Sequence, residues 1–585
     1  MTLTDELSDI VGQAFEAEGM SKAAGAVRFS DRPDLAQFQC NGALAAAKER
    51  KANPRMLAEG VVARLRQDGR FREVSVAGPG FINLALTDED LSRRVEIANL
   101  AEGLGGWTKA PETIVLDYGG PNVAKPLHVG HLRSAIIGEA LKRILRAAGD
   151  DVIGDIHLGD WGLQMGQLIS ELELRRPELP YFAAGAAGPF PAAAPITLAD
   201  LEDMYPAASA ACREDPTRAD LARKATKALQ DGKPGYRALW RHFVDLSVAA
   251  LRRDYADLDV DFDLWKGEAD VDPLIPGMIA DLEAKGLVEL SDGAKIIRLA
   301  EEGDKKEIPP IILVNSEGAV GYHATDIATI IDRVRTNRPD RIFYVVDGRQ
   351  ALHFEQVFRA SGRAGYFPSD RLEHLWFGTM NGKDGKPFKT RAGGVLKLRD
   401  LIDLVEGKAL ERLTESGLAK DYPEAETREV TRKVAVAALK FADLSNPRTT
   451  DYVFDLDRFM SFEGKTGPYL LYAAVRIRSL LVKGKEAGAI PGALRIAAAE
   501  ERDLALSLLA FGDMMRLACE KRMPHHLCEH VFNLAQAFSR FYAGCRIVDE
   551  PTPEVRASRL ALAAAAGRQI EHALDLLGIA VPARM

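Results

Sequence analysis

The spacing of apolar and polar residues divides this chain into three parts. In the first hundred residues, helical spacing runs through Leu7–Phe15 and Pro54–Leu65, and a strand-like pattern runs through Glu73–Leu86 around a turn at Gly78–Gly80. From about 112 to 405, short β-rich runs alternate with helical stretches in the manner of a parallel sheet with crossover helices. Beyond about 425 the spacing is helical almost throughout, which predicts a helical bundle.

The same spacing predicts individual elements in the two larger parts. The central strand candidates are Val115–Tyr118, Val152–His157, Pro310–Val314 and Ile342–Val346. The later helical patterns are Arg428–Ala442, Gly467–Leu481, Glu500–Leu517, His530–Ala543 and Glu554–Leu577. An insertion at about 180 to 240 begins with an alanine-, glycine- and proline-rich stretch, Tyr181–Pro195, whose composition predicts a flexible surface loop. We therefore expect an α/β multidomain protein with an N-terminal α+β module, a central parallel-sheet domain and a C-terminal all-α helical bundle.

Composition narrows the class of protein without identifying its partners. At 585 residues the chain exceeds what one hydrophobic core supports, and 47% hydrophobic with 28% charged residues is typical of a soluble globular protein. The acidic N-terminus is unlike a signal peptide and no apolar run could cross a bilayer, so we expect a cytoplasmic protein with no membrane partner. Five scattered cysteines without a Cys-x-x-Cys pair predict neither disulfides nor zinc. A net charge of −9 does not exclude a nucleic-acid partner, because the relevant field is local.

The segment Asp117–His131 carries the strongest chemical signal. It follows a β-rich run and leads into a long amphipathic helix, with His128 and His131 in the first helical turn on one face. Free backbone N–H groups and the helix dipole make such a turn a seat for phosphate, and two imidazoles add donors. A structural histidine pair or half of a metal site would be the alternatives, but no third ligand in a recognisable metal motif stands nearby.

Two other segments bear on nucleotide binding. Gly464-Lys465-Thr466 lacks the earlier glycine of a Walker loop, since Phe459 stands there, and Gly385-Lys386 is followed by proline. The basic, glycine-broken segment Gly378–Gly394 would ordinarily be a solvated surface loop. Its lysines and glycines also suit a lid that closes on polyphosphate. The paired-histidine turn is therefore the favoured phosphate site.

The frame from Pro121 to Ser134, Pro-Asn-x-Ala-Lys-Pro-x-His-x-Gly-His-Leu-Arg-Ser, resembles the HIGH motif of class I aminoacyl-tRNA synthetases in its arginyl-tRNA synthetase version. Ala77–Asn83 resembles part of the N-terminal module of that family, and Lys386–Thr390 resembles a degenerate form of the second class I signature, KMSKS. The resemblance continues to the last residues, Leu574–Met585, and covers nearly the whole chain apart from the insertion.

The resemblance implies a function and a division of the chain. It implies ATP-dependent ligation of L-arginine to tRNA(Arg) through an arginyl-adenylate, in translation. Residues 1–108 would then form a module that contacts the tRNA elbow. Residues 109–425 would form the class I Rossmann-like catalytic domain, and residues 426–585 the helical anticodon-binding domain. The family typically needs tRNA to activate arginine, so the same dependence is expected here.

The resemblance also implies roles for individual residues. The catalytic residues would be His128, His131, Lys386 and Lys389. ATP would contact His128, Gly130, His131, Asp160, Gly162 and Lys389. Arginine would contact Gly120, Pro121, Asn122, His131, Tyr322, Asp326 and Gln350. The tRNA contacts would be Lys465, Tyr469, Tyr472 and Arg476. The chain departs from the family at Gly119 and Gly120, where Ser or Ala is usual, which removes a hydroxyl but leaves backbone contacts possible.

Independent chemistry supports one of these assignments, because a guanidinium favours a bidentate carboxylate and Asp326 shares a helical face with Tyr322. Asp326 could instead be a partner of the helix dipole in the first turn. The expected ligands are L-arginine, tRNA(Arg) and ATP, which would bind as its complex with Mg²⁺. No protein-bound zinc and no DNA partner are expected, and the protein is expected to be a monomer.

Two alternatives remain open at this point. One is another enzyme of the same fold, either a cytidylyltransferase-like enzyme or a synthetase for a different amino acid. The long helical C-terminal part argues against the first, and the lack of a thiolate zinc site and of a large editing insertion argues against the second. The other alternative is a non-catalytic tRNA-binding relative. Such a relative would be expected to have lost His131 or the basic segment Gly378–Gly394 (the lysine loop).

Overall fold

The computed structural model describes residues 1–32, 34–386, 396–418 and 421–585. The N-terminal elements are α1 Leu3–Ala17, β1 Val27–Phe29, β2 Phe38–Cys40, α2 Gly42–Arg50, α3 Pro54–Leu65, β3 Phe71–Ala77, β4 Phe81–Leu86 and α4 Asp88–Leu100. The strands form an antiparallel sheet in the order β1-β2-β4-β3. The turn predicted between β3 and β4 is present, and both Gly78 and Gly80 have positive φ there (51° and 141°).

The central part alternates strands with helices. Its first half contains β5 Thr113–Tyr118, α5 Val129–Ala147, β6 Asp151–Leu158, α6 Leu163–Arg175, α7 Leu198–Glu214, α8 Pro216–Gln230, α9 Pro234–Asp257, β7 Leu264–Gly267 and α10 Glu268–Val271. Its second half contains α11 Ile275–Ala284, β8 Glu289–Ser291, β9 Ala294–Ile297, β10 Ile311–Val314, α12 Tyr322–Asn337, β11 Arg341–Val345, α13 Ala351–Ala364, β12 Leu372–His374, β13 Met380–Asn381 and α14 Leu398–Ser416. A parallel sheet of order β12-β11-β5-β6-β7 forms its centre.

The remaining chain is helical, as the spacing predicts. Its elements are α15 Glu424–Leu444, β14 Tyr452–Val453, α16 Leu456–Phe459, α17 Gly467–Glu486, α18 Ala499–Leu509, α19 Phe511–Lys521, α20 His525–Gly544 and α21 Pro553–Leu576. The pattern Glu500–Leu517 proves to be two helices that meet at Ala510, because Phe511 begins a new helix whose own inner face is buried. The predicted fold class, an α+β module, a parallel-sheet domain and a helical bundle, is confirmed.

Two local predictions differ from the structure. Pro310–Val314 is a strand, but β10 pairs antiparallel with β9 in a separate sheet, and Ile312 on it is exposed. A short apolar run has the same appearance in either kind of sheet, so the pattern could not distinguish them. The insertion is mostly helical: residues 183–197 lack helix and strand, but α7, α8 and the start of α9 follow, and α6 packs against α8. Even Tyr181, at the start of the predicted loop, is buried.

Two buried arginines connect separate elements of the fold, one within the central part and one between the central part and the helical bundle. Arg333 of α12 donates to Asp117 of β5 (2.6 Å) and to Asp155 of β6 (2.9 Å), carboxylates on neighbouring, register-matched strands. Arg133 of α5 donates from Nε to Asp443 of α15 (2.9 Å), and both side chains are 2% exposed or less. Burying these five ionisable side chains is tolerable only because each is paired and hydrogen-bonded.

Arg133 also reaches the segment that leads into the lysine loop. One terminal nitrogen donates to the carbonyl of Gly378 (2.7 Å) and to that of Thr450 (3.2 Å). Gly378 lies just before β13 and Thr450 just before β14, the two strands of a short parallel pair. Its guanidinium also faces the ring of Tyr452 at 5.1 Å. A single side chain therefore joins the helix after the paired histidines to the bundle and to the base of the lysine loop.

The first testable consequence concerns Asp443. Asp443→Ala should lower the free energy of unfolding by about 3–5 kcal/mol, because it leaves the Arg133 charge buried without its partner. Glu424→Ala is the control on the same helix α15, since it breaks the ion pair with Arg428 where both side chains are at least 79% exposed, and such pairs contribute little. Chemical denaturation of the two variants beside the wild type would measure this. Equal stability of the Asp443 variant and the control would show that the buried pair does not hold the fold.

Candidate active site

The paired-histidine turn is built by the end of β5 and the start of α5. His128 is the N-cap residue, and its Nδ1 accepts the backbone N–H of Gly130 (3.0 Å). His131, in the first turn, accepts the backbone N–H of His128 at its own Nδ1 (3.1 Å), and the two rings lie 3.9 Å apart. Because each Nδ1 accepts, each neutral ring carries its proton on Nε2. The turn therefore presents two Nε2–H donors, while the backbone N–H groups of Val129, Gly130 and His131 are already hydrogen-bonded within the protein.

The surroundings keep both rings neutral. Desolvation in the turn and the nearby His128 lower the pKa of His131 to about 3. Desolvation, followed by the charges of Arg349 and Lys125, lowers the pKa of His128. Lys125 therefore lies near the histidines, as does Arg349, whose guanidinium is paired with Asp347 (2.8 Å). Such a site can bind polyphosphate through the charge of Lys125 and two dipolar donors.

The glycine-rich turn before the helix docks on the end of β6. Val123 N–H donates to the carbonyl of Gly159 (2.9 Å), and Gly159 N–H donates to the carbonyl of Pro121 (3.0 Å). The Asn122 side chain lies directly over Gly159, where a Cβ would be 2.3 Å from Asn122 Oδ1. The predicted arginine contacts Gly120, Pro121 and Asn122 are thus at the carboxyl edge of the parallel sheet, where ligands bind in this type of fold.

A second group of residues gathers at the same edge around α12. Asp326 lies in the second turn of the helix that begins at Tyr322, so it is not the first-turn dipole partner that the sequence allowed. Its Oδ2 is 2.5 Å from Nε2 of His353, on α13. Tyr322 is 72% exposed and open to a ligand. Gln350, predicted with these two, is exposed at the end of a short 3₁₀ turn after β11.

A buried carboxyl pair stands beside Asp326. Burial, followed by the charges of Asp160 and Asp326, raises the pKa of Glu268 to about 7. Burial is also the main cause that raises the pKa of Asp160 to about 7, and Asp270 contributes. Asp160 accepts the N–H of Ala269 at the start of α10 (3.0 Å), so its carboxyl is engaged with that helix. Asp326 and Glu268 together attract a cation, and a guanidinium has the shape to bind two carboxylates.

The lysine loop is anchored to the histidine turn at its far end. Val129 N–H donates to the carbonyl of Leu396 (3.2 Å), and Leu398 N–H donates to the carbonyl of Leu127 (2.8 Å). Lys397 Nζ is 2.7 Å from Glu202 of the insertion helix α7. Lys386 is exposed at the near end. Lys389, the second lysine predicted to be catalytic, lies outside the described residues.

The remaining predicted residues fall in two places. Gly162 is the N-cap of α6, one residue beyond the Trp161 that follows Asp160. Of the predicted tRNA contacts, Lys465 and Tyr472 are exposed, and Arg476 lies over the ring of Tyr542 at 4.0 Å. Tyr469 is partly buried and packs against Phe532 of α20. Tyr472 and Arg476 therefore share an exposed face of α17, one turn apart.

Four residues of this site were not singled out from the sequence: Lys125, Glu268, Arg349 and His353. Lys125 stands inside the frame Pro121–Ser134, so its position was available from the sequence but not its contacts. Glu268 and Arg349 come from turns whose approach depends on the strand order. Among the described residues, no group of three or more His, Cys, Asp or Glu could hold a metal ion. In the same residues, no helix has the length and apolarity needed to cross a membrane.

Comparison with known families covers nearly the whole chain. The family model described as "tRNA synthetases class I (R), catalytic domain" matches residues 98–456. The "Arginyl tRNA synthetase N terminal domain" matches residues 1–86, and the "DALR anticodon binding domain" matches residues 470–585.

Individual relatives agree with these matches. The chain is 54% identical to an arginine–tRNA ligase of Hyphomonas neptunium and 51% identical to one of Maricaulis maris, each over 100% of both chains. Solved arginyl-tRNA synthetases of Plasmodium falciparum and Thermus thermophilus share the fold over 100% of both chains, with TM-scores of 0.82 and 0.80 at 22% and 24% identity. The family predicted from the HIGH-like motif is confirmed: this chain belongs to the class I arginyl-tRNA synthetases.

Proposed function

We propose that this protein ligates L-arginine to tRNA(Arg) with ATP, through an arginyl-adenylate, in translation. The observation that supports it best is the paired-histidine turn, where both Nδ1 atoms accept backbone N–H groups and both Nε2–H groups are left to donate. This turn stands at the same sheet edge as an acidic pocket suited to a guanidinium. Full-length similarity to arginine–tRNA ligases agrees with both features.

In the first step the arginine carboxylate attacks the α-phosphorus of ATP. The new bond is the mixed anhydride of the adenylate, and the bond to the β-phosphate breaks and releases pyrophosphate. His128 and His131 would stabilise the charge on the α-phosphate as it reacts, as neutral donors at physiological pH. Lys125, Arg349, Lys386 and Lys389 would bind the departing pyrophosphate, the last two from the loop.

In the second step a ribose hydroxyl at the 3′ end of the tRNA attacks the activated carbonyl. The ester to tRNA forms, and AMP leaves. The hydroxyl's proton passes out with the leaving phosphate or to water. Lys465, Tyr469, Tyr472 and Arg476 would contact the tRNA on the helical domain. The division of labour would follow the ranges 1–108, 109–425 and 426–585.

Arginine would lie with its guanidinium toward Asp326 and Glu268, and its α-amino and carboxyl ends toward Asn122 and the turn Gly120–Pro121. His353 holds the Asp326 carboxylate from behind. Tyr322 and Gln350 would close the pocket from the exposed side. ATP would arrive with Mg²⁺, which needs few protein ligands when phosphates supply the rest. Gly130, Asp160 and Gly162 would border the adenosine. We further propose a cytoplasmic monomer without zinc, DNA or membrane partners.

The test of the function is pyrophosphate exchange with each amino acid, with and without tRNA. We expect exchange with arginine alone among the amino acids, and only when tRNA(Arg) is present. Strong exchange without tRNA would contradict the tRNA requirement while leaving the substrate in place. Exchange only with another amino acid would overturn the assignment. No exchange under any condition would support the non-catalytic alternative.

His131 should be needed for turnover and not for folding. His131→Ala should lower kcat by roughly two to four powers of ten, the cost of losing one transition-state donor. His242, which contacts Tyr181 away from the turn, provides the matched control, and His242→Ala should keep near-normal turnover. Aminoacylation kinetics with thermal unfolding of both variants would measure this. Near-normal turnover of the His131 variant would remove His131 from the mechanism.

Asp326 should set the affinity for arginine. Asp326→Asn keeps the size of the side chain but removes its charge, so arginine binding should weaken by roughly 1.5–3 kcal/mol. Asp332→Asn, on the same helix but paired with Lys266, should bind arginine as the wild type does. Calorimetric titration with L-arginine distinguishes the two. Unchanged binding by the Asp326 variant would make that carboxylate a structural partner of His353 only.

A further inference from the structure

Helix α9 lies behind the turn between β5 and α5 (the nucleotide turn), hydrogen-bonds the backbone of that turn at two points and hydrogen-bonds the segment after β6 at a third. Trp240 of α9 donates from Nε1 to the carbonyl of Asp160 (2.7 Å). Ser247 Oγ accepts the N–H of Ala124 (3.0 Å), and Tyr255 donates its hydroxyl to the carbonyl of Gly119 (3.2 Å). These three side chains are seven and eight residues apart, about two turns each, so they share one face of α9.

The middle contact holds an unusual backbone conformation. Ala124 has a φ of +64°, in the left-handed region, where a Cβ is disfavoured. Gly119, at the other end of the turn, has a φ of +91°, which glycine adopts freely. A strained residue of this kind persists only where its surroundings over-determine it, and such residues cluster at functional sites. Ala124 is 3% exposed, so its surroundings are protein on all sides.

Ser247 is arranged to do this holding. Its Oγ donates to the carbonyl of Phe243 (2.7 Å), one turn earlier in α9, which fixes the hydroxyl rotor. A lone pair is then left to accept the Ala124 N–H, and Ser247 itself is 5% exposed. Without that oxygen the Ala124 N–H would be buried and unsatisfied, which is unfavourable in itself.

The conformation of Ala124 sets the direction of the backbone between Asn122 and Lys125. Asn122, two residues before it, lies over Gly159, and Lys125, directly after it, is the cation that lies near His128. Lys125 Nζ is also 4.8 Å from the ring centre of Tyr205, on α7. If Ala124 moved to a negative φ, the chain would leave the turn in another direction, and Lys125 and the histidine cap would be displaced together.

We propose that Ser247 is a positioning residue of the adenylation site, which holds Ala124 in its left-handed conformation and thereby aims Lys125 and the paired histidines at the phosphates. Ser247 acts through the backbone N–H of Ala124. Helix α9 follows the stretch Tyr181–Pro195, whose composition predicted a loop. This helix thus packs behind the site and supports its backbone. The proposal rests on the proposed function, because the phosphates belong to the ATP of that reaction.

A purely structural role for the serine makes a different prediction. Thr226 of α8 makes the same one-turn bond, from Oγ1 to the carbonyl of Ala222 (2.8 Å), and among the described residues its side chain makes no hydrogen bond to the nucleotide turn. Thr226→Ala therefore removes the same kind of helix-internal hydroxyl in the same layer. It is the matched control for Ser247→Ala.

The experiment uses the full-length enzyme, after the wild type has been shown to charge tRNA with arginine, so that failure of the function itself is seen first. Ser247→Ala should lower kcat for tRNA-dependent pyrophosphate exchange by about tenfold to a hundredfold, as small misplacements of reacting groups do. The KM for arginine should change little, because the acidic pocket on α12 and α10 is untouched. Thr226→Ala should retain wild-type kcat.

The rescue variant separates positioning from stability. Glycine adopts a φ of +64° without a Cβ penalty, so adding Ala124→Gly to Ser247→Ala should recover a large part of the lost kcat. Recovery without a matching rise in the thermal unfolding midpoint would support the proposal. Wild-type kcat in Ser247→Ala, an equal loss in Thr226→Ala, or a loss that tracks the unfolding midpoint and is not rescued by glycine would each overturn it.

Discussion

The placement of Arg133 constrains the whole active region. Arg133 lies two residues after His131 on α5 and is almost fully buried. Its guanidinium donates to Asp443 of the bundle and to the carbonyls that precede β13 and β14. A planar, always-charged group with fixed donor directions allows little variation in how these three parts approach. The histidine turn, the lysine loop and the helical domain therefore share one joint. A partner that shifted the bundle would therefore act on the histidine turn through this joint.

The site divides its electrostatic work between two ends of one sheet edge. At the phosphate end, cations stand near imidazoles that desolvation keeps neutral. At the end proposed to bind arginine, burial and then the charges of Asp160 and Asp326 raise the pKa of Glu268 to about 7. In an empty pocket, partial protonation of Glu268 is therefore favoured. A bound guanidinium would favour the charged form of Glu268, so the pocket is complementary to a cation and disfavours neutral side chains of similar length.

The sequence predicted those features of the fold and the site that depend on residues close together along the chain. The start of α5, its paired histidines and the turn at Gly78–Gly80 follow from local spacing and backbone requirements, and the structure has them. The approach of Lys125 and Arg349, and of Asp326, Glu268 and His353, depends on the strand order and on α12 packing beside α13, which local spacing does not encode. The same holds for β10, whose four residues suit either sheet, and for Ser247, which resembles any other serine on a helix.

The two Nδ1 atoms engaged by backbone N–H groups have a kinetic consequence. An Nε2–H on a neutral ring is a dipole, and its attraction for an anion decays more steeply with distance than that of a full charge. The imidazoles therefore act strongly on a phosphate in contact with them and only weakly on one that has moved away. In the proposed reaction, pyrophosphate that has separated from the adenylate would therefore be retained by the full charge of Lys125 rather than by the imidazoles. Its release would need no change in the protonation of the histidine turn.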